Sequence, residues 1–163
     1  MKQNNVKPAE GKLGILVVGN GAVATTFMTG VLMTRKGLTK PIGSMTQYDK
    51  IRVGKGADKK YLPYKDIVPL TDLNDIVFGC WDVYPQNAYQ SAMYCEVLKE
   101  KDINPVKDEL EQIIPMKAAF DKNFAKRLEG DNVKDCKTRW EMTEDLRQDI
   151  RDFKAKNDCA RND

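Results

Sequence analysis

Histidine is absent from this 163-residue sequence, and aromatic residues make up only 8% of it. Without an imidazole, the chain cannot form Ser-His or Cys-His nucleophile pairs or use histidine as a general base. Its four cysteines lie far apart and form no Cys-x-x-Cys pair, so the sequence predicts no metal site. We interpret the cysteines as reduced thiols. Any acid–base chemistry must fall to Lys, Asp, Glu, Tyr or Cys.

Long apolar runs are missing as well. None approaches the length of a membrane span, and residues 1–12 are polar, without the apolar core of a secretory signal. We therefore expect a cytoplasmic protein with no membrane partner. A net charge of +3 is too small to indicate nucleic-acid binding. With 41% hydrophobic and 31% charged residues, the chain is typical of one globular domain, or part of one.

The first strong pattern covers residues 13–34. Residues 13–18 (LGILVV) form an apolar run with β-branched members, typical of a strand buried on both faces of a parallel sheet. Glycines interrupt the run, and a helical spacing then begins at Ala22 and continues to Lys36. The predicted apolar face of this helix consists of Val23, Phe27, Gly30, Val31 and Thr34.

The rest of the chain repeats the alternation of strand and helix. Residues 75–79 predict a second buried strand, and residues 85–87 can open a helix. Residues 38–66 predict an irregular segment with at most one strand near residues 51–53 and a solvated surface of basic side chains. Another helix is expected from Pro105 to Ile114.

The last long helix is predicted over residues 139–156. Its apolar stripe is expected to pack against a sheet rather than bind a ligand, and it consists of Met142, Leu146, Ile150 and Phe153. The sequence therefore predicts an α/β fold, a Rossmann-type parallel sheet with flanking helices. The chain ends where the next strand is expected, so we interpret residues 13–163 as the N-terminal part of such a domain, incomplete at its C-terminus.

The turn between the first strand and helix follows the G-x-G-x-x-A form of the dinucleotide fingerprint. Gly19 permits the tight turn, Gly21 lets backbone N–H groups approach phosphate, and Ala24 lets the helix pack closely on the strand. The helix N-terminus offers free donors and a positive dipole. We predict that Gly19, Asn20, Gly21, Ala22 and Val23 bind the cofactor. The alternative is a glycine turn that serves only packing.

The acid that usually binds the ribose about 20 residues further on is missing. Asp82 is our candidate, because it follows the second buried strand at the carboxyl edge of the sheet; a turn or N-cap aspartate is an equally good interpretation. Trp81 could pack on the adenine or seal the strand end, and the first option is preferred. Thr25 and Thr26 could bind phosphate or satisfy local backbone groups.

Three stretches give the sequence a specific resemblance: VVGNGAVATT at residues 17–26, GSMTQ at 43–47 and NDIVFGCWDVYPQNAYQSAM at 74–93. They resemble the inositol-3-phosphate synthase (myo-inositol-1-phosphate synthase) family, and the likeness extends to FDKNFA at residues 120–125. Two departures are Cys80, where many members have glycine, and the Gly-Asn-Gly-Ala turn, where others have a glycine pair.

The resemblance implies an isomerase of inositol and phospholipid biosynthesis that converts D-glucose 6-phosphate to 1D-myo-inositol 3-phosphate. NAD oxidises the sugar, an intramolecular aldol step closes the ring, and the ketone is then reduced. The family's catalytic lysines lie in a later region, so we expect no catalytic residue here and no activity of this chain alone. The resemblance also implies a homo-oligomer, a tetramer, for the full-length enzyme.

Two other interpretations remain open at this point. A simple NAD(P)-dependent dehydrogenase would use the same glycine turn but would show net reduction of its cofactor. A non-catalytic nucleotide-binding module would bind NAD without any reaction.

Overall fold

The computed structural model describes residues 11–162. Residues 1–10, most of the predicted polar segment, and Asp163 lie outside the described residues. The strands are β1 (Lys12–Val18), β2 (Lys50–Val53), β3 (Lys60–Pro63), β4 (Ile76–Asp82), β5 (Met116–Lys117) and β6 (Cys159–Asn162). The helices are α1 (Ala22–Arg35), α2 (Met45–Tyr48), α3 (Ala88–Cys95), α4 (Glu100–Ile103), α5 (Lys107–Glu111) and α6 (Arg139–Asn157).

Four strands form a parallel sheet in the order β5-β4-β1-β6. β1 and β4 are paired from Leu13 opposite Ile76 to Val18 opposite Trp81, so the two predicted strands are neighbours and end at the same edge. β6 lies on the other side of β1, just before the position where the sequence predicted a further strand. The predicted Rossmann-type sheet with flanking helices is confirmed.

The hydrophobic core joins this sheet to α1, α3 and the α4–α5 segment. Its buried members include Met28 and Leu32 of α1, Phe78 of β4, and Ala88 and Ala92 of α3. The small α3 side chains allow the two helices to approach closely. The buried strand predicted over residues 75–79 is confirmed by β4.

The buried face of α1 differs from the predicted one. Ala24, Met28 and Leu32 face the core, whereas Val23 is 86% exposed and Phe27 is 45% exposed. Packing of α1 against α3 fixes this rotation of the helix. The 3.6-residue period was right and Val31 of the predicted face packs against the core, but the predicted phase missed the fully buried Met28 and Leu32.

Residues 38–66 contain more structure than predicted. They form α2 and an antiparallel hairpin in which Lys50 of β2 lies opposite Pro63 of β3. The hairpin contains no buried residue, so neither strand shows the alternation that reveals a half-buried strand. The predicted solvated surface is confirmed, since these basic side chains are exposed: Lys50, Arg52, Lys55, Lys59, Lys60 and Lys65.

The single helix predicted from Pro105 to Ile114 is also divided. α4 ends at Ile103, a 3-10 turn contains Pro105, and α5 ends at Glu111. Proline has no N–H to donate within a helix, which explains the tightened turn between α4 and α5. The last long helix, predicted over residues 139–156, corresponds to α6, which ends one residue later, at Asn157. Among the described residues, no helix is long and apolar enough to cross a membrane.

Candidate functional site

The carboxyl edge of the sheet carries the predicted glycine turn. Gly19 has a φ of +94°, which side-chain-bearing residues rarely adopt, and its N–H donates to the carbonyl oxygen of Trp81 at 2.8 Å. The turn that leaves β1 is thus tied to the last residues of β4. This is the strand, turn and helix arrangement that the sequence predicted.

The start of α1 carries no capping side chain. Gly21 is its N-cap, no described side chain accepts from the first-turn N–H groups, and the first turn contains no acidic residue. A helix start normally leaves such donors to a side chain, to water or to a ligand. The other two helices of eight or more residues, α3 and α6, both have complete capping boxes.

Gly21 leaves open space in front of these donors. No heavy atom of the described chain outside its sequence neighbours lies within 4 Å of the point where a Cβ atom would stand, and its φ of −87° suits any residue. Glycine is therefore not required here by the fold. A side chain would occupy space beside the α1 N-terminus, which is the space that an anion needs.

Asn20 is buried, with 2% exposure, and joins two loops. Its backbone N–H donates to Asp82 Oδ2 at 2.5 Å, and its Nδ2 donates to the carbonyl oxygen of Gln86 and to Ser91 Oγ, both at 3.2 Å. Its Oδ1 is buried and has no partner within the described residues. Asn20 therefore holds the glycine turn against the loop between β4 and α3. The sequence pattern gave no signal of this tether.

Asp82 lies at the end of β4, next to the glycine turn, as predicted. Its Oδ2 accepts from the N–H of Asn20, and its Oδ1 accepts from the N–H of Tyr84 at 2.9 Å. Each carboxylate oxygen can accept a further hydrogen bond. The turn role that the sequence left open is thus present, and the carboxylate still borders the cavity described below.

Two other candidate residues are bound within the protein. Trp81 is 8% exposed and its Nε1 donates to Asp149 Oδ2 at 2.7 Å, so it seals the strand end beneath α6 while also lining the cavity. Thr25 Oγ1 donates to the carbonyl oxygen of Gly21 at 3.0 Å, which is the local role that the sequence offered as an alternative. Thr26 Oγ1 is buried without a partner within the described residues.

The glycine turn, Trp81 and Asp82 border one cavity of about 1160 Å³. This is somewhat above the range of about 300–1,000 Å³ that is typical of small-ligand sites. The glycine turn and β4 form one side, and α3 forms another. The segment at residues 118–120 and the α6 side chains Leu146 and Ile150 form the remaining walls. The α6 stripe therefore lines this cavity through Leu146 and Ile150 and also packs on the sheet through Phe153, as predicted.

The electrostatics of the cavity are simple. Asp82 is its one charged lining residue among the described side chains, and the other lining groups are apolar, aromatic or neutral polar. Burial and the nearby Asp82 raise the pKa of the Cys80 thiol to about 12, so this cysteine stays protonated and is unsuited to nucleophilic chemistry. The described lining of the cavity thus combines one carboxylate with neutral and apolar groups, which suits binding.

The segment at residues 118–134 was missed as a wall of the site. Asn132 Nδ2 donates to the carbonyl oxygens of Asp82 and Met116, at 3.0 and 3.2 Å, and its N–H donates to that of Val83. These bonds hold an irregular segment over the ends of β4 and β5. Only the resemblance at residues 120–125 pointed to this part of the chain.

Comparison with known proteins identifies the family. Residues 13–162 match an NAD-binding domain model described as myo-inositol-1-phosphate synthase. Inositol-3-phosphate synthase 1 of Bacteroides thetaiotaomicron is 64% identical over 99% of this chain and 37% of its own length. Inositol-3-phosphate synthase 1 of rice (Oryza sativa subsp. japonica) is 32% identical over 90% of this chain and 31% of its own.

A solved structure supports the same assignment. Inositol-3-phosphate synthase of Caenorhabditis elegans superposes with a TM-score of 0.80 at 25% identity, covering 94% of this chain and 33% of that one. The chain thus spans about a third of the length of the relatives that it matches. It belongs to the myo-inositol-1-phosphate synthase family and corresponds to the family's NAD-binding domain.

Proposed function

We propose that residues 13–163 are the N-terminal part of the NAD-binding domain of an inositol-3-phosphate synthase. The whole protein would convert D-glucose 6-phosphate to 1D-myo-inositol 3-phosphate. The family assignment and the names of the relatives support this proposal. They favour it over a simple dehydrogenase and over a non-catalytic nucleotide-binding module.

The uncapped start of α1 is the observation that carries the cofactor assignment. Its first-turn N–H groups border the open space at Gly21, beside a cavity large enough for a dinucleotide. The residues fit NAD: the pyrophosphate would lie against the backbone of Gly21, Ala22 and Val23, at the positive end of the helix dipole. Gly19 and Asn20 would shape the turn that holds these donors.

Asp82 would bind the ribose. Both its oxygens are already oriented by backbone N–H groups, and each keeps acceptor capacity for a hydroxyl group. The described residues that line the cavity include no lysine or arginine, which suits NAD better than a cofactor with an additional phosphate on the ribose.

This part of the chain would bind and orient, and would not carry out proton transfer. When bound, NAD supplies the hydride acceptor and donor of the reaction. Within residues 11–162, no lysine lines the cavity, and the resemblance places the catalytic lysines in a later region. Glucose 6-phosphate would thus meet its catalytic groups only in the full-length protein, which we propose to be a cytoplasmic homo-tetramer.

The test is calorimetric titration of the chain with NAD, comparing the parent with Gly21→Val. We expect the parent to bind and Gly21→Val to bind at least about a hundredfold more weakly, because the valine side chain fills the phosphate space. Gly30→Ala is the matched control: it lies in the exposed middle of α1, has open space around it, and should leave NAD affinity unchanged.

Equal NAD binding by the parent and Gly21→Val would overturn the cofactor assignment. Incubation of the chain with NAD and glucose 6-phosphate tests the second half of the proposal. Formation of inositol phosphate by this chain alone would show that the later region is not needed.

A further inference from the structure

We infer that Asp149 is a positioning residue that holds α6 in place as one wall of the NAD cavity. It does so through Trp81 at the end of β4 and Lys134 in the segment that crosses the sheet edge. The inference rests on the proposed function, because it assigns Asp149 an effect on NAD affinity. Asp149 is in contact with both Trp81 and Lys134, and none of the three belongs to the glycine turn.

α6 is held to the domain without any fully buried side chain of its own. None of its 19 residues is buried. Phe153 packs at the face of the sheet, where a Cβ atom on Gly79 would stand only 2.5 Å from the ring, so glycine at this position gives the ring its room. This contact lies toward the C-terminal end of the helix. Leu146 and Ile150, which line the cavity, lie nearer the middle.

Asp149 supplies a polar attachment beside these two cavity-lining residues. Its Oδ2 accepts from Trp81 Nε1 at 2.7 Å, and its Oδ1 accepts from Lys134 Nζ at 3.0 Å. Lys134 Nζ also lies 2.9 Å from Oδ2, and the two side chains are only 13% and 19% exposed. Charge-assisted hydrogen bonds of this kind are stronger than neutral ones, and this pair is more sheltered than an ordinary surface salt bridge.

The two partners of Asp149 lead directly to other cavity walls. The carbonyl oxygen of Trp81 accepts from the N–H of Gly19, so one residue contacts both the glycine turn and α6. The backbone N–H of Lys134 donates to the carbonyl oxygen of Ala118 at 2.9 Å, and Ala118 lines the cavity. The carboxylate of Asp149 thus joins three walls of the cavity. Because Asp149 does not line the cavity itself, its replacement should displace α6 without removing a contact to NAD.

The experiment combines NAD affinity with the emission of Trp81. Trp140 is 70% exposed at the start of α6, and it is the one other tryptophan of the sequence, so Trp140→Phe leaves Trp81 as the single emitter. In this background we compare Asp149→Asn and Asp149→Leu with the control Asp152→Asn. Asp152 lies on the same helix, is exposed, and accepts from Gln148 Nε2.

We expect Asp149→Leu to weaken NAD binding about tenfold and Asp149→Asn less, because the amide oxygen still accepts from the indole. The emission of ligand-free Trp81 should shift in Asp149→Leu, and the control should match the parent in both measurements. Lys134→Met removes the other contact and should also weaken NAD binding, which keeps the test decisive if Asp149→Leu does not fold.

Unchanged NAD affinity in Asp149→Asn and Lys134→Met, or in a folded Asp149→Leu, would overturn the inference while leaving the proposed function intact. A parent chain that does not bind NAD would overturn the proposed function, and this inference with it. An equal loss of affinity in Asp152→Asn would show a general effect of α6 charge, which also contradicts the role assigned to Asp149.

Discussion

The N-termini of α1 and α6 differ in what binds the backbone N–H groups that have no partner within the helix. At α6, Thr138 Oγ1 accepts from the N–H of Glu141, and the Glu141 side chain accepts from the N–H of Thr138. At α1, Gly21 provides no side chain, and the first turn has no acid. Both helices are long, so the difference does not follow from length.

The difference teaches what each helix start is for. The capping box of α6 stabilises the fold and occupies the N–H groups of Thr138 and Glu141. The start of α1 gives up that stabilisation and keeps its donors and dipole for an anion from outside the chain. Changes at the α1 start should therefore alter ligand binding, and changes at the α6 start should alter stability.

Gly21→Asp should have the largest effect, because it gives α1 the capping side chain that distinguishes α6 from it. The φ and ψ of Gly21 suit a capping aspartate, so the free energy of unfolding should rise by a few tenths of a kcal/mol, roughly. NAD binding should fall more than about a hundredfold, since the carboxylate takes the donors and repels phosphate. Calorimetric titration and thermal melting measure the two effects. Retained NAD affinity together with increased stability would contradict the role of the free donors.

Asp82→Asn tests the second polar group of the site. The amide oxygen can still accept one backbone N–H, but the negative charge that disfavours a ribose phosphate is lost. We expect the ratio of NAD affinity to NADP affinity to fall about tenfold, measured by titration with each cofactor. Asp75→Asn, an exposed aspartate before β4, is the control. An unchanged ratio would exclude Asp82 from cofactor discrimination.

Thr138→Ala removes the capping side chain of α6 and should change stability but not NAD binding. We expect the free energy of unfolding to fall by about 1 kcal/mol and NAD affinity to stay within about twofold. Thr143→Ala, in the same helix beyond its first turn, is the control and should not be destabilising. If Thr138→Ala leaves the free energy of unfolding unchanged, the capping box of α6 does not stabilise the fold.

Glu109→Gln gives the smallest effect and concerns the C-terminus of α1. Lys36, just after the helix, donates to Glu109 Oε1 at 2.6 Å, and this bond holds the pKa of the carboxyl below its ordinary value of 4.5. A carboxyl whose pKa is lower in the folded state stabilises the fold above its unfolded pKa, and loses that effect as the pH falls through its folded pKa. Because both side chains are more than a third exposed, we expect at most about 0.5 kcal/mol near pH 7.

Chemical denaturation at pH 7 and below pH 4 checks this prediction for Glu109→Gln. The difference from the parent should be largest at neutral pH and should vanish in acid. Glu111→Gln, in a longer ion pair with Lys107 of 3.6 Å, is the control. A difference that grows as the pH falls would contradict the assigned sign.

The elements that were predicted correctly are those whose place in the fold is visible in a short stretch of sequence. β4 is buried along most of its length, and β1 is mostly half-buried and ends on the exposed Val18, but both carry apolar runs that were visible in the sequence. The glycine turn between β1 and α1 has a backbone conformation that demands glycine at residue 19. The placement of Asp82 followed from the rule that parallel strands end at one edge.

Other features depend on contacts that no local pattern records. The phase of α1 is fixed by its packing on α3, and this favours Ala24 over the larger Val23. The exposed hairpin of β2 and β3 has no buried face to reveal it. The amide of Asn20 and the carboxylate of Asp149 act across long separations in the chain. Their partners are known only once the elements are assembled.

The central place of β1 in the sheet governs how the domain forms as it is synthesised. One neighbour, β4, is available once residue 82 has been made, but the other, β6, begins only at Cys159. Parallel pairings between distant segments form slowly, and an unpaired strand edge invites wrong partners meanwhile. Until residue 159 has been made, β1 therefore has at least one open edge, which exposes it to pairing with wrong strands.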